Sequence, residues 1–132
     1  MIIGIGHDQI DGRRLEETLA RFGQRFLTRI YTPYEQERAR NKANPLPTLA
    51  RRWAAKEAVA KALGTGIGEH AFMREIGVEN AANGRPMLVL NGKALETLHK
   101  LMPAGHMPRL HLSLSDDWPF ASAFVIIEAS PE

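Results

Sequence analysis

The sequence predicts an α+β fold, a mostly antiparallel sheet packed with a long central helix. Apolar strand-like runs stand near both ends, at Ile2–Ile10 and Phe120–Glu128. Between them lies a single long helical stretch, from about Pro47 to Leu63, with Gly64 where a C-terminal cap is wanted. The order β-α-α-α-β-β-α-β-β, with a hairpin pattern after the long helix, favours antiparallel pairing.

Each element has its own signal. Gly4 and Gly6 interrupt the first strand, where they let another backbone or a ligand approach closely. Asp11 can cap a helix to about Phe22, with Leu15, Leu19 and Phe22 as its buried stripe. Thr32-Pro33-Tyr34-Glu35 has capping-box spacing and a proline at the first helical position, so a short helix follows to about Arg40. Asn41–Pro47 reads as a loop. Arg74–Glu79 and Arg85–Leu90 form a hairpin about Asn83-Gly84, and Asn91 caps a helix through about Leu101. Leu110, Leu112 and Leu114 alternate with His111, Ser113 and Ser115, which marks a half-buried strand.

Composition narrows the function classes. The chain has 132 residues, the length of a single domain (1–132), and 44% hydrophobic with 24% charged residues is a globular balance. Seventeen Lys and Arg against 15 Asp and Glu leave a net charge of +2, too mild to argue for nucleic acid. The absence of cysteine removes disulfides, thiolate zinc sites and Cys nucleophiles. Met1–Gly6 is too short for a signal peptide and lacks a basic lead, and no run approaches the ~20 apolar residues of a membrane span. A soluble, cytoplasmic protein is expected, with neither nucleic acid nor membrane as partner.

Chemistry concentrates on the long helix. At roughly 100° per residue, Leu46, Leu49, Ala50, Trp53 and Ala54 gather on one side, and Glu57 projects into the same arc. Desolvating a carboxylate costs several kcal/mol or more, about enough to forbid an uncompensated one in a core. Glu57 is therefore paired with a cation, bound to a metal, or facing a cleft. The plain alternative is an i,i+4 ion pair with Lys61 on a solvated face, against which its place on the apolar arc argues. Asp8, at the end of the glycine-relieved strand, reads alone as a solvated acid. Together with Glu57 it would make an oxygen-rich site suited to Mg²⁺, which keeps several waters and is completed by substrate phosphates.

Arg52, Lys56 and Lys61 flank Glu57 on neighbouring turns, a surround suited to a polyanionic ligand or simply helix surface. Arg14, Arg21 and Arg25 fall close to one line if the first helix continues that far. Such a stripe is either solvated surface or a face for an acidic partner, and without interleaved aromatics single-stranded nucleic acid is disfavoured. Gly4-Ile5-Gly6-His7-Asp8 lacks the third glycine of a dinucleotide fingerprint, and the next helix starts too late to receive a pyrophosphate. His7, His70, His99, His106 and His111 show no zinc-ligand spacing. Ser113 and Ser115 are strand residues, not nucleophile-elbow serines.

Taken together, Gly4–Asp8, Arg52-Trp53-Ala54-Ala55-Lys56-Glu57-Ala58, Lys61-Ala62-Leu63-Gly64-Thr65-Gly66, Asn83-Gly84-Arg85-Pro86 and Ser113-Leu114-Ser115 resemble the holo-acyl-carrier-protein synthases. These are the small bacterial type of phosphopantetheinyl transferase, and the match runs in order through nearly the whole chain. The resemblance implies transfer of the 4′-phosphopantetheine arm of coenzyme A to a serine of apo acyl carrier protein, for fatty acid biosynthesis, with release of adenosine 3′,5′-bisphosphate. It also implies a homotrimer with active sites between protomers. By the same resemblance Asp8 and Glu57 are Mg²⁺ ligands, and Asp8, Glu57 and Lys61 are catalytic. Arg52, Lys61, Gly64, Thr65, Gly66, Asn83, Gly84, Arg85 and Pro86 correspond to coenzyme A contacts. Arg14, Arg21 and Arg25 match the helix that docks the acidic carrier. One position departs from the pattern: many members have His after the Ser-x-Ser strand, where Asp116 stands here. Competing readings are a non-catalytic module for a nucleotide or acidic partner, and a transferase acting on polyketide or peptide synthase carrier domains.

Overall fold

The computed structural model describes residues 1–68 and 72–132, so His70 lies outside the described residues. The elements are β1 (Ile2–Asp11), α1 (Gly12–Phe22), α2 (Gln24–Ile30), α3 (Pro33–Arg40) and α4 (Leu46–Leu63). After a short 3₁₀ turn at Met73–Glu75 follow β2 (Ile76–Asn80), β3 (Pro86–Leu90), α5 (Gly92–Lys100), β4 (His106–Asp117) and β5 (Phe120–Pro131). All strand pairs are antiparallel: a three-stranded sheet ordered β1-β5-β4, and the β2-β3 hairpin. The architecture is the expected α+β with antiparallel sheets.

The glycines of β1 explain how the 18-residue α4 meets the sheet. A Cβ on Gly4 would overlap the carbonyl of Ala62, and one on Gly6 would overlap the carbonyl of Ala58 and the amide of Ala62. Both positions admit another backbone, that of α4, which lies directly against β1. The small residues of α4 complete the contact: Ala54, Ala55, Ala58 and Val59 are solvent-free and share a core with Val125 and Ile127 of β5. The register aligns Asp8 with Ala123 and Leu114 with the same Ala123, so the ends of β1 and β4 flank the start of β5.

Local chemistry sets the boundaries. Asp11 caps α1 by accepting from the Arg13 amide at 3.0 Å. Thr32 and Glu35 form the full capping box of α3, and Gly64 ends α4 in the left-handed conformation (φ 80°) that favours glycine. Leu110, Leu112 and Leu114 pack against the core while His111, Ser113 and Ser115 face outward.

Four sequence expectations need correction. The first helix ends at Phe22 as expected, but α2 follows Gly23 (φ 56°) as a separate helix that the apolar spacing did not reveal. Arg25 therefore lies on α2, so Arg14, Arg21 and Arg25 do not share one helix. Phe22, expected to be buried, is 49% exposed as the last residue of α1, beneath the Arg21 guanidinium. Asn91 occupies the N-cap position of α5 but makes no side-chain cap bond; the Glu75 carboxylate accepts from Lys93 and Ala94 instead. Finally, β4 extends well beyond Leu110–Leu114, because β5 pairs with it along its whole length.

Candidate active site

Two cavities flank α4, and the helix contributes different residues to each. The first, about 340 Å³, is lined by Asp8, Gln9 and Ile10 of β1, Arg14, Leu15 and Thr18 of α1, Phe26 of α2, and Trp53 and Glu57 of α4. The apolar arc of α4 ends here. Leu49, Ala50 and Ala54 are buried, Trp53 stacks on Phe26 with ring centres 6.0 Å apart, and Glu57 follows at the cavity wall. The helical arc thus anchors its acid at a cleft, one of the three alternatives the sequence left open.

Glu57 is half-buried, and its carboxyl pKa is raised. Desolvation is the main cause, the nearby Asp8 charge adds to it, and Lys61 opposes it. Lys61 Nζ donates to Asp8 Oδ1 and to the His7 carbonyl, each at 3.0 Å. Asp8, Glu57 and Lys61 therefore gather at one place, although β1 and α4 lie some fifty positions apart in sequence. No group of three or more His, Cys, Asp or Glu suited to a metal occurs among the described residues. The donor set is two carboxylates, an all-oxygen pair that suits a hard divalent cation whose remaining positions go to water and phosphate.

Lys56 does not belong to this surround. Its side chain and that of Glu35 are wholly buried, and Nζ donates to Glu35 Oε1 at 2.6 Å, the Met73 carbonyl at 3.1 Å and the Ile76 carbonyl at 2.5 Å. Glu35 also accepts from the amides of Thr32 and Val78. Every strong donor of the ammonium is used, so Lys56 is a core clasp joining α3, α4 and β2. It offers no charge to a ligand.

The second cavity, about 280 Å³, is lined by Arg38, Lys42, Thr48, Arg51, Arg52, Asn80, Pro86, Leu114 and Asp116. Arg52 is 4% exposed; it donates from Nη2 to Asn80 Oδ1 at 3.0 Å, and its Nε has no partner among the described residues. Burial lowers the Arg52 pKa, and the adjacent Arg51 and Arg38 add to that. Asn80 Nδ2 in turn donates to the Gly84 carbonyl at 3.0 Å, which ties Arg52 to the β2-β3 turn. In that turn Asn83 Oδ1 accepts from the Arg85 amide, Gly84 takes φ 87°, and Pro86 begins β3. A buried guanidinium with a spare donor among further cations is chemistry for an anion.

The structure thus divides the sequence-predicted residues into groups. Asp8, Glu57 and Lys61 come together, with Arg14 on the same cavity. Arg52 meets Pro86 and, through Asn80, the Asn83-Gly84-Arg85 turn. Gly64, Thr65 and Gly66 lie beyond Lys61 at the far end of α4, roughly 18 Å of helix rise from Arg52. Arg21 and Arg25 are exposed on α1 and α2, away from both cavities. Sequence reasoning missed Asn80, Arg38, Lys42 and Arg51. Arg51 stands one residue before the motif that begins at Arg52, and nothing local marked Asn80 as the link.

Comparison with known proteins points one way. A family model described as the 4′-phosphopantetheinyl transferase superfamily matches residues 4–119. The holo-[acyl-carrier-protein] synthase of Mesorhizobium japonicum is 53% identical over 131 residues, covering 99% of this chain and 96% of the relative. That of Rhizobium leguminosarum is 52% identical over 132 residues, covering 100% and 98%. Among solved structures, the holo-[acyl-carrier-protein] synthase of Neisseria meningitidis superposes with a TM-score of 0.85 at 38% identity, covering 97% of this chain and 99% of that one. The Bacillus anthracis enzyme in complex with CoA (3′,5′-ADP) gives 0.79 at 36% identity, covering 98% and 99%.

Proposed function

The chain belongs to the 4′-phosphopantetheinyl transferase superfamily, and from that premise we propose how its two cavities divide the reaction. It transfers the 4′-phosphopantetheine arm of coenzyme A to a serine of apo acyl carrier protein and releases adenosine 3′,5′-bisphosphate. The observation that carries the assignment of roles is the meeting of Asp8, Glu57 and Lys61 at the first cavity.

Asp8 and Glu57 hold Mg²⁺ there. When bound, the ion supplies Lewis-acid neutralisation of the pyrophosphate charge. Glu57, at the cavity wall with its pKa raised by burial, takes the proton of the carrier serine directly or through a water it holds. The serine oxygen forms a bond to the β-phosphorus of coenzyme A as the bridging bond to the nucleotide phosphate breaks, and the nucleotide leaves as its bisphosphate. Lys61 is 54% exposed at its side chain, so it can turn from Asp8 to the charge developing on the phosphoryl oxygens. Arg52 and the turn from Asn83 to Pro86 hold the nucleotide end, and Gly64, Thr65 and Gly66 present backbone to the ligand. Arg14, Arg21 and Arg25 meet the acidic carrier.

A homotrimer with shared sites fits this division. Glu57 and Arg52 are five residues apart on one helix, about 140° around its axis, so they face different sides of the chain. A second copy can bring the Arg52 cavity to the Glu57 cavity of the first. The sheet face away from α4 also exposes large apolar side chains among polar ones: Ile5 is 56%, Phe120 46% and Phe124 42% exposed. Such a patch suits burial against another copy.

The test is to incubate the protein with coenzyme A, Mg²⁺ and an apo carrier, then weigh the carrier by mass spectrometry. A phosphopantetheine-sized gain is expected, nearly abolished by Glu57→Gln at saturating Mg²⁺ with the fold intact. Near-normal turnover of that variant would remove Glu57 from the mechanism.

A further inference from the structure

Asp116 directly follows the Ser113-Leu114-Ser115 run of β4, and the fold gives it an arginine partner. Its Oδ1 accepts from Arg51 Nη1 at 2.8 Å, while Arg51 Nη2 lies 3.4 Å from Thr48 Oγ1, one turn back on α4. All three residues line the second cavity, which also holds Arg38, Lys42 and the buried Arg52. Four cations in that space repel one another, and Asp116 is the only carboxylate among the described lining residues. Arg51 keeps 27% of its side chain in solvent. Released from Asp116, it would swing outward, away from Arg52 and Arg38, where water screens the repulsion.

We propose that Asp116 is a positioning residue for phosphate recognition: it holds Arg51 across the second cavity, so that Arg51 and Arg52 together bind the phosphate monoester of coenzyme A. The proposal rests on the reading of that cavity as the nucleotide end of the site. Two opposing effects meet at Asp116. A carboxylate in a cationic pocket weakens an anion's attraction, but at 35% exposure much of that penalty is screened. A fixed guanidinium presents its fork to phosphate with its ordering already done, and this preorganisation is the larger effect.

The experiment is steady-state transfer with coenzyme A and, separately, with dephospho-coenzyme A, which lacks the monoester. Asp116→Ala should raise the KM for coenzyme A about fivefold with kcat unchanged, and leave the KM for dephospho-coenzyme A within about twofold. Arg51→Ala should give the same rise, and the double variant no further one, since the two residues act as a unit. Asp116→Glu should restore binding, which a loss of fold would not allow. A lower or unchanged KM for coenzyme A in Asp116→Ala, or an equal rise for both nucleotides, would overturn the proposal. Arg52→Ala separates the two levels. If Arg52→Ala also leaves the coenzyme A KM unchanged, the cavity is not the nucleotide site and both readings fall. If it raises that KM while Asp116→Ala does not, only the role of Asp116 is lost.

Discussion

Lys56 and Glu35 form an ion pair at 2.6 Å in which neither side chain reaches solvent, and it stands one residue before the carboxylate at the first cavity. The pair binds α3, α4 and β2 into one unit. Glu57 takes its direction from a helix that is pinned from within.

Removing half of this pair should be costly. Lys56→Met leaves Glu35 as a buried, uncompensated charge and should lose about 3–5 kcal/mol in denaturant unfolding. Lys56→Met with Glu35→Gln, which removes both charges, should recover part of that. A loss below about 1 kcal/mol in the single variant would mean the pair is not buried as described.

Gly6 tests the contact that brings Asp8 to Glu57. A Cβ there would overlap the Ala58 carbonyl, so Gly6→Ala must push β1 away from α4. Thermal unfolding should show a loss of about 1–3 kcal/mol or more. Transfer activity should fall further than the unfolded fraction explains, because Asp8 moves with β1. An unchanged melting temperature would rule out the backbone contact.

Stability should carry the mark of the desolvated acid. A folded-state pKa of Glu57 above its unfolded value means the native state holds the proton more tightly, so stability falls as pH rises through that interval. Glu57→Gln should therefore melt above the unsubstituted protein at neutral pH, with chelator present. The difference should shrink to nothing as pH drops below the ordinary Glu value of 4.5. A gap that grows on acidification has the wrong sign.

The basic face is tested by charge reversal. Arg14→Glu with Arg21→Glu should raise the KM for carrier protein about tenfold or more and leave that for coenzyme A within about twofold. Equal effects on both substrates would show that α1 is not the docking face. Arg25, on a different helix, provides an independent probe of how far the face extends.

Much of this was legible in the sequence where local rules govern. The capping box at Thr32, the glycine stop at position 64, the alternating leucines of β4 and the acid on the apolar arc each follow from spacing along the chain. What escaped depends on distant partners. Glu35 served as a capping residue, and nothing near it announces that its second oxygen meets Val78 and its first meets Lys56. Lys56 therefore looked like surface. The end of α1 at Phe22 was legible, but α2 was not, because its seven residues carry apolar Phe26, Leu27 and Ile30 without a side-chain cap to mark its start. The glycines of β1 announced a close approach but not its partner. That required the fold to place α4 on the strand.

The central claim is that α4 carries two half-sites on different sides and that a second copy completes each. Glu57→Gln, inactive alone, and Arg52→Ala, nearly silent alone at coenzyme A concentrations far below its raised KM, should be co-expressed with different tags, purified as mixed oligomers and assayed at such a concentration for transfer to the carrier. If the half-sites join across copies of a three-membered ring, every mixed trimer has one of its three interfaces restored, and activity should return to about a third of the unsubstituted level. Mixed oligomers that stay inactive would show that Glu57 and Arg52 must act within a single chain, contradicting the claim.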